Sequence, residues 1–205
     1  MESYVTIHHH AEFEYEDRKS IFIGEAMPVS TEEEALSFIE AVKKKYSDAR
    51  HHVYAYVLRN NSTMRFTDDG EPQGTAGMPV LDVIRKNGLT DIAIIVTRYF
   101  GGTLLGTGGL VRAYTAAALG AVKDAEIITY DIYSTLSIEA TYSDYQKFAP
   151  IFQETGYRSE NVRYTDKVII TGSVRKVNVD ELTDMLVQAT SGRANIEILD
   201  EKFDF

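Results

Sequence analysis

The chain contains no cysteine and no tryptophan among its 205 residues, and only four prolines. Without cysteine, disulfides, thiolate metal sites and cysteine nucleophiles are all excluded. The sequence also lacks the run of about 18 apolar residues that a transmembrane helix requires. Its first residues, MESYVTIHHHAEFEYEDRKS, lack the basic start and apolar stretch of a secretory signal. We therefore expect a cytoplasmic protein that does not associate with membranes.

Basic residues are in the minority, with 21 Lys and Arg against 31 Asp and Glu and a formal net charge of -10. This balance excludes a generally basic nucleic-acid coat protein, because such proteins neutralise phosphates with a positive surface. Any binding of nucleic acid would have to depend on a few local arginines and on backbone amides. Hydrophobic residues make up 44% of the chain, which is sufficient for a folded core.

Residues 1–132 are predicted to form a first domain in which strands and helices alternate. Residues 92–97, IAIIVT, are apolar on both alternating faces of the predicted strand, as is typical of a central strand that helices cover on both sides. A capping box of Ser30 and Glu33 predicts a helix start. Residues 53–58 and 65–67 are predicted to form a hairpin across the polar turn Asn-Asn-Ser at 60–62.

Residues 133–205 form a second predicted domain with its own complete set of elements. A strand from 133, a helix at 143–155, strands at 157–164 and 168–174, a helix at 180–189 and a last strand follow one another. The order βαββαβ is that of a ferredoxin-like arrangement. The predicted fold class is therefore α+β with a boundary near residue 132, although such a fold hosts many unrelated functions.

Three carboxylates, Asp68, Asp69 and Glu71, surround a glycine in the segment FTDDGEPQGTAG. They are candidate Mg²⁺ ligands, acid or base groups, or turn residues that bind backbone amides. His51 would complete an acid/base pair with them, because histidine titrates near neutral pH. Its neighbour His52 points to the opposite face of the predicted strand, so we expect at most one of them at a site.

The segment RYFGGTLLGTGGLVRAY is rich in glycine, arginine and aromatic residues. Glycines directly before a predicted helix from Leu110 favour an anion site, where amides and the helix dipole converge. Alternatively, the glycines permit close packing of a strand against the helix. The pattern matches neither a GxxxxGK[ST] phosphate loop nor GxGxxG, so no cofactor is predicted. The candidate residues for anion contact or base stacking are Arg98, Tyr99, Phe100, Gly106, Gly108, Gly109, Arg112 and Tyr114.

Three consecutive histidines, His8, His9 and His10, stand near the start of the chain. They lie in a segment that continues as a predicted strand. We interpret them as ordinary surface residues of a strand or loop and not as a metal-binding tract.

The segments FTDDGEPQGTAGMPVL and TRYFGGTLLGTGGLVRAYTAA closely resemble the signature of the IMPACT/YigZ family, and HHVYAY approximately matches its upstream strand. This resemblance implies an N-terminal domain like domain 2 of ribosomal protein S5. It implies a ferredoxin-like C-terminal domain similar to one in translation elongation factor G. Eukaryotic relatives bind an activator of the amino-acid-starvation kinase and so influence translation. The positions of the family pattern lie within residues 68–77 and 98–114 and include His51, whereas His52 is less typical of the family.

We therefore expect a cytoplasmic, translation-linked regulatory protein. Its expected partner is RNA, the ribosome or a translation-associated protein, bound through the DDGEP and RYFGG loops. One alternative is a carboxylate-dependent enzyme, with or without Mg²⁺, acting on a phosphate-bearing or acyl substrate. Another is a protein–protein regulatory module that binds no nucleic acid. The absence of a nucleophile, zinc or Walker motif favours binding over catalysis.

Overall fold

The computed structural model describes residues 3–59 and 63–205. Over these residues the chain forms ten strands and six α-helices. They divide into two compact units, residues 4–129 and residues 130–205 with Ser3. Neighbouring strands pair antiparallel in both units, which confirms the predicted α+β fold class.

Within the described part of the chain, no helix is both long and apolar enough to cross a membrane.

The N-terminal unit is built on a five-stranded sheet. The strand β1 (Tyr4–Ile7) precedes this sheet and is not part of it. The five strands of the sheet are β2 (Ala11–Asp17), β3 (Ser20–Pro28), β4 (His51–Leu58), β5 (Thr63–Thr67) and β6 (Ile92–Tyr99). The sheet has the order β2-β3-β6-β4-β5. The predicted β4–β5 pairing is confirmed, while its turn at 60–62 lies outside the described residues.

Helices cover both faces of this sheet: α1 (Glu32–Lys45) on one side, α2 (Gly77–Lys86) and α3 (Gly106–Asp124) on the other. The central strand β6 supplies both cores. Ile94 and Val96 pack in the core with α2 and α3, and Ala93 and Ile95 pack in the core with α1. Both faces of β6 are therefore buried, as its continuous apolar sequence predicted.

The start of α1 lies one residue later than the capping box predicted. Thr31 is the N-cap, and its Oγ1 accepts a hydrogen bond from the Glu34 amide at 3.2 Å. The Glu34 carboxylate in turn accepts from the Ser30 amide at 2.6 Å. The prediction of Ser30 with Glu33 was wrong because the next residues, Thr31 and Glu34, fit the same pattern equally well.

In the C-terminal unit the strands β10 (Asn195–Asp204), β7 (Ile127–Ala140), β9 (Val168–Arg175) and β8 (Arg158–Tyr164) pair in that order, which is the ferredoxin-like arrangement. The predicted strands on either side of residue 132 form one continuous strand, since no glycine or proline interrupts IITYDIYSTLSIEA. The predicted helix at 143–155 is divided in two. The elements are β7 (Ile127–Ala140), α4 (Tyr142–Tyr145), α5 (Phe148–Thr155), β8 (Arg158–Tyr164), β9 (Val168–Arg175), α6 (Val179–Thr190) and β10 (Asn195–Asp204).

Candidate functional site

Asp68 binds the backbone at the start of α2. Its Oδ1 accepts hydrogen bonds from the amides of Ala76 at 3.1 Å and Gly77 at 2.8 Å, and its Oδ2 accepts from Gly74 at 2.8 Å. The N-cap residue Ala76 has no side chain that can do this. Asp68 therefore caps α2 from a distant position in the loop, which is the role of a turn residue satisfying backbone amides.

Asp69 attaches the same loop to the beginning of β4. Its Oδ2 accepts from the His52 amide at 2.6 Å, and its carbonyl oxygen lies 2.8 Å from His51 Nδ1. Because a carbonyl only accepts, Nδ1 of His51 carries the proton in this hydrogen bond. The Nε2 atom is then the nitrogen of the neutral ring that can accept a further bond. The His52 ring turns away and contacts the Tyr46 carbonyl at 3.0 Å.

Glu71, on the DDGEP loop, is buried in the N-terminal unit against Arg98 and Tyr114 of the second signature segment. One oxygen, Oε1, accepts from Arg98 Nη1 and from the Tyr114 hydroxyl, each at 2.7 Å. The side chains of Glu71 and Arg98 are only 4% and 7% exposed. Burial, followed by the nearby charge of Glu71, raises the pKa of Tyr114, so this hydroxyl stays protonated and donating.

Tyr114 is fully buried, and its ring meets that of Phe22 edge-on at 5.1 Å between centroids. The structure therefore places it in the core, where its ring is closed to a stacking base. Its position corrects the expectation of a surface contact. Tyr114 lies on the alanine-rich face of α3, which packs against the sheet. Its hydroxyl donates to Glu71, because a buried tyrosine needs a hydrogen-bond partner.

The three carboxylates thus contact three different sets of partners. Among the described residues, the one group of three side chains whose ligand atoms lie close enough for a shared metal ion includes none of them. Asp68 and Asp69 bind backbone amides, and Glu71 binds Arg98 and Tyr114. The geometry therefore provides no assembled carboxylate set for the Mg²⁺-dependent alternative.

His51 and Arg98 are directly paired across β4 and β6, and an open cleft of about 640 Å³ lies beside them. Two apolar side chains stand exposed in it, Phe100 at 55% and Leu104 at 81%. The Arg98 guanidinium carbon is 5.7 Å from the Phe100 ring centroid. We call this feature the signature cleft, and it is lined by Asp48, Ala49, Arg50, His51, Arg98, Tyr99, Phe100 and Leu104.

Asp48 and Arg50 are cleft residues that sequence reasoning missed. They lie between α1 and β4, and the only signal in the sequence was their position just before His51. The Tyr99 hydroxyl donates to Asp48 Oδ1 at 2.7 Å. This hydrogen bond, with desolvation, raises the pKa of Tyr99 to about 12. Tyr99 is therefore fixed to the cleft wall, and Phe100 is the more exposed ring.

The glycines of the RYFGG segment divide between two roles. Gly106 and Gly108 are exposed at the start of α3, which begins four residues before the predicted position and has no acidic residue in its first turn. A Cβ on Gly108 would lie 3.7 Å from Arg112 Nη1, so this exposed guanidinium is next to the helix start. Gly109 is instead buried and packs against Leu105. Open space for an anion therefore occurs at Gly106 and Gly108, whereas the close neighbour of Gly109 is Leu105 at the start of the same helix and not a strand.

Comparison with known proteins gives a consistent assignment. A family model described as the Impact N-terminal domain matches residues 18–122, and a domain of unknown function, DUF1949, matches residues 138–193. IMPACT family member YvyE of Bacillus subtilis is 33% identical over 198 residues, which cover 96% of this chain and 91% of the relative. IMPACT family member YigZ of Escherichia coli is 30% identical over 189 residues, covering 91% and 93%.

More distant matches agree with these relatives. Protein IMPACT of Oryctolagus cuniculus is 31% identical over 94 residues, or 44% of this chain and 30% of that protein. A solved structure described as the crystal structure of a hypothetical protein superposes with a TM-score of 0.61 at 28% identity and covers 98% of both chains. With a family model over half of its length and relatives at 30% and 33% identity across both units, the chain belongs to the IMPACT family.

Proposed function

We propose that this protein is a cytoplasmic, translation-linked regulatory protein that binds single-stranded RNA in the signature cleft. The observation that carries the proposal is the exposed Phe100 ring beside the Arg98 guanidinium, in a cleft that also contains Arg50 and His51. Single-stranded nucleic acid is bound by this combination, with bases stacked on aromatic rings and phosphates near cations. The link to translation comes from the family resemblance.

The buried contacts around Glu71 support this role by fixing the wall of the cleft. Glu71 compensates the charge of Arg98, so Arg98 contributes a rigid cationic plane and little net attraction. Arg50 is an exposed arginine of the cleft and can approach a phosphate, whereas the exposed Arg112 lies beside the start of α3. Because the chain carries a net charge of -10, long-range attraction is weak and binding depends on local contacts. We therefore expect low affinity that falls steeply as salt increases.

The first experiment measures binding of a fluorescently labelled single-stranded RNA to the full chain by anisotropy at low salt. Phe100→Ala removes the stacking ring, and since base stacking contributes about 1–3 kcal/mol, we expect affinity to fall about 5- to 150-fold. Phe66→Ala is the matched control, because Phe66 is also exposed, at 43%, but lies outside the cleft on β5. An equal loss in both variants would contradict stacking in the cleft.

The second experiment measures the dependence of affinity on salt. Arg50→Gln removes one phosphate contact in the cleft and should reduce the slope of log K against log salt by about 0.7, the value for single strands. Arg85→Gln, an exposed arginine at the end of α2, should leave the slope unchanged. Failure to bind RNA or to sediment with ribosomes at low salt would overturn the proposal. Ribosome association that survives nuclease treatment would instead favour a protein partner.

A further inference from the structure

Three metal-ligating side chains meet in the N-terminal unit outside the signature cleft. His8 and His9 lie in the bend between β1 and β2, and Glu126 follows the end of α3. His8 Nδ1 is 3.6 Å from Glu126 Oε2. One ligand atom from each of the three residues lies within 4.8 Å of the other two. All three residues are exposed to solvent, so an ion can reach them directly.

The backbone holds these two distant segments together. The His8 amide donates to the carbonyls of Ala125 at 3.0 Å and Glu126 at 2.8 Å, and the His9 amide donates to Ala125 at 3.3 Å. Glu126 has a φ of 58°, in the left-handed region that non-glycine residues seldom adopt. Because the main chain already fixes the ligand positions, an ion has to order only the ends of three side chains, which keeps the entropic cost small.

The ligand types indicate which ion fits. Two imidazoles and one carboxylate are the donor set of divalent transition metals such as Zn²⁺, whereas Mg²⁺ and Ca²⁺ prefer oxygen alone. Ligand atoms at about 2.0–2.2 Å from a tetrahedral ion lie about 3.4 Å from one another. The 3.6 Å between His8 and Glu126 is close to that spacing. The carbonyl end of the 19-residue helix α3 adds partial negative charge, which favours a cation there.

The third histidine of the tract is directed elsewhere. His10 Nε2 lies 2.8 Å from Glu25 Oε2, and Glu25 is 3% exposed on β3. His10 therefore belongs to a different contact and not to the cluster. This division within HHH provides a control in the same sequence environment.

We propose that His8, His9 and Glu126 bind one divalent transition-metal ion of the zinc class, with water completing its coordination. The bound ion links the β1–β2 bend to the end of α3. This site is separate from the signature cleft and does not depend on RNA binding. From the sequence alone we interpret the tract as ordinary surface residues, because the third ligand, Glu126, is far from the histidines in the sequence and no local pattern connects them.

The test is calorimetric titration of the tag-free full chain with zinc chloride. We expect one saturable site in the wild type and in His10→Gln, and at least a tenfold loss of affinity in His8→Gln and in His9→Gln. Glu126→Gln should also bind more weakly, since the amide carries no charge. Zinc should raise the thermal unfolding temperature of the wild type and of His10→Gln, but not of His8→Gln.

Glu126→Gly separates ligation from folding. Glycine adopts the left-handed conformation without steric cost, so this variant should be as stable as the wild type without zinc and still bind zinc more weakly. The proposal is overturned if the wild type shows no saturable zinc binding, or if His10→Gln loses as much affinity as His8→Gln. It is also overturned if Glu126→Gly binds zinc as tightly as the wild type.

Discussion

Arg98 on β6 donates to Glu71 of the DDGEP loop over 2.7 Å, with both side chains almost fully buried. The same carboxylate oxygen accepts from Tyr114 on α3. One carboxylate therefore connects a loop, a strand and a helix that carry the two signature segments. A buried ion pair of this kind is costly to break, because removing one partner leaves the other charged and enclosed.

We expect Glu71→Gln to lower the free energy of unfolding by about 3–5 kcal/mol, because Arg98 is left without a counter-charge. Tyr114→Phe should cost less, about 1.5–3 kcal/mol, since it removes one hydrogen bond to a charged group and leaves the ring packed. Urea unfolding of each variant measures both values. A double-mutant cycle that combines Glu71→Gln with Arg98→Met should give a non-zero coupling energy. Additive effects of these two changes would show that Glu71 and Arg98 do not interact.

Asp68→Ala should destabilise the N-terminal unit by about 2 kcal/mol, the upper end for the loss of an N-cap, because three backbone amides lose their acceptor. Asp68→Asn should cost less, as its amide oxygen can still accept. Chemical denaturation monitors the effect. Gln73→Ala, an exposed change in the same loop, should stay within about 0.5 kcal/mol of wild type. Equal stability of Asp68→Ala and wild type would contradict the capping role.

Gly77→Ala should destabilise the protein by about 1–3 kcal/mol through steric overlap. A Cβ at Gly77 would lie 2.4 Å from the Thr67 carbonyl oxygen, and that backbone belongs to β5 and has little room to move. Gly108→Ala is the matched control, because its Cβ would meet nothing closer than Arg112 at 3.7 Å. Alanine there favours the helix by up to about 1 kcal/mol. Thermal unfolding should therefore shift in opposite directions for the two variants.

Asp144 makes the C-terminal unit sensitive to acid. Its buried carboxylate accepts from Arg193 Nη2 and Lys147 Nζ, both at 2.8 Å, and these contacts hold its pKa below the ordinary value of 3.8. Because the pKa of Asp144 is lower in the folded state than in the unfolded chain, its ionised form stabilises the fold at every pH above the ordinary value. This stability is lost as the pH falls from 3.8 through the lower folded-state pKa. Asp144→Asn should therefore be less stable than wild type at pH 7, with a difference that shrinks below pH 3.8.

The measurement is urea unfolding of both proteins across this acid range. Gln153→Ala is the control, because Gln153 is exposed on α5 and carries no titratable group, so its stability difference from wild type should not change with pH. If the stability difference between Asp144→Asn and wild type stayed constant down to strongly acid pH, the carboxylate would not be the titrating group.

Much of the architecture follows from local patterns. The apolar run of β6 predicts a strand buried on both faces, and the βαββαβ order of residues 133–205 predicts the ferredoxin-like arrangement. Boundaries were less secure where two local patterns competed. Thr31 replaced Ser30 as the cap, and β7 continued through the predicted break, because the final choice depends on packing beyond the local window.

The hydrogen-bond partners of the polar side chains could not be predicted from the sequence. Asp68, Asp69 and Glu71 look alike in the sequence, yet the fold directs them to a helix start, to β4 and to Arg98. Arg98 lies 27 residues from Glu71 in the sequence, and Tyr114 lies 43 residues from it. No pattern of neighbouring residues contains that information.

Local patterns in the sequence were sufficient to predict most helices and strands in outline, the fold class and the family, because periodicity and signature motifs are local properties of the chain. Packing between distant segments was needed to show that Tyr114 donates to Glu71, that Phe100 is exposed beside Arg98, and that Glu126 lies close to His8 and His9. The physical reason is that burial and charge pairing arise from contacts between distant segments, which form when the sheet and helices pack together.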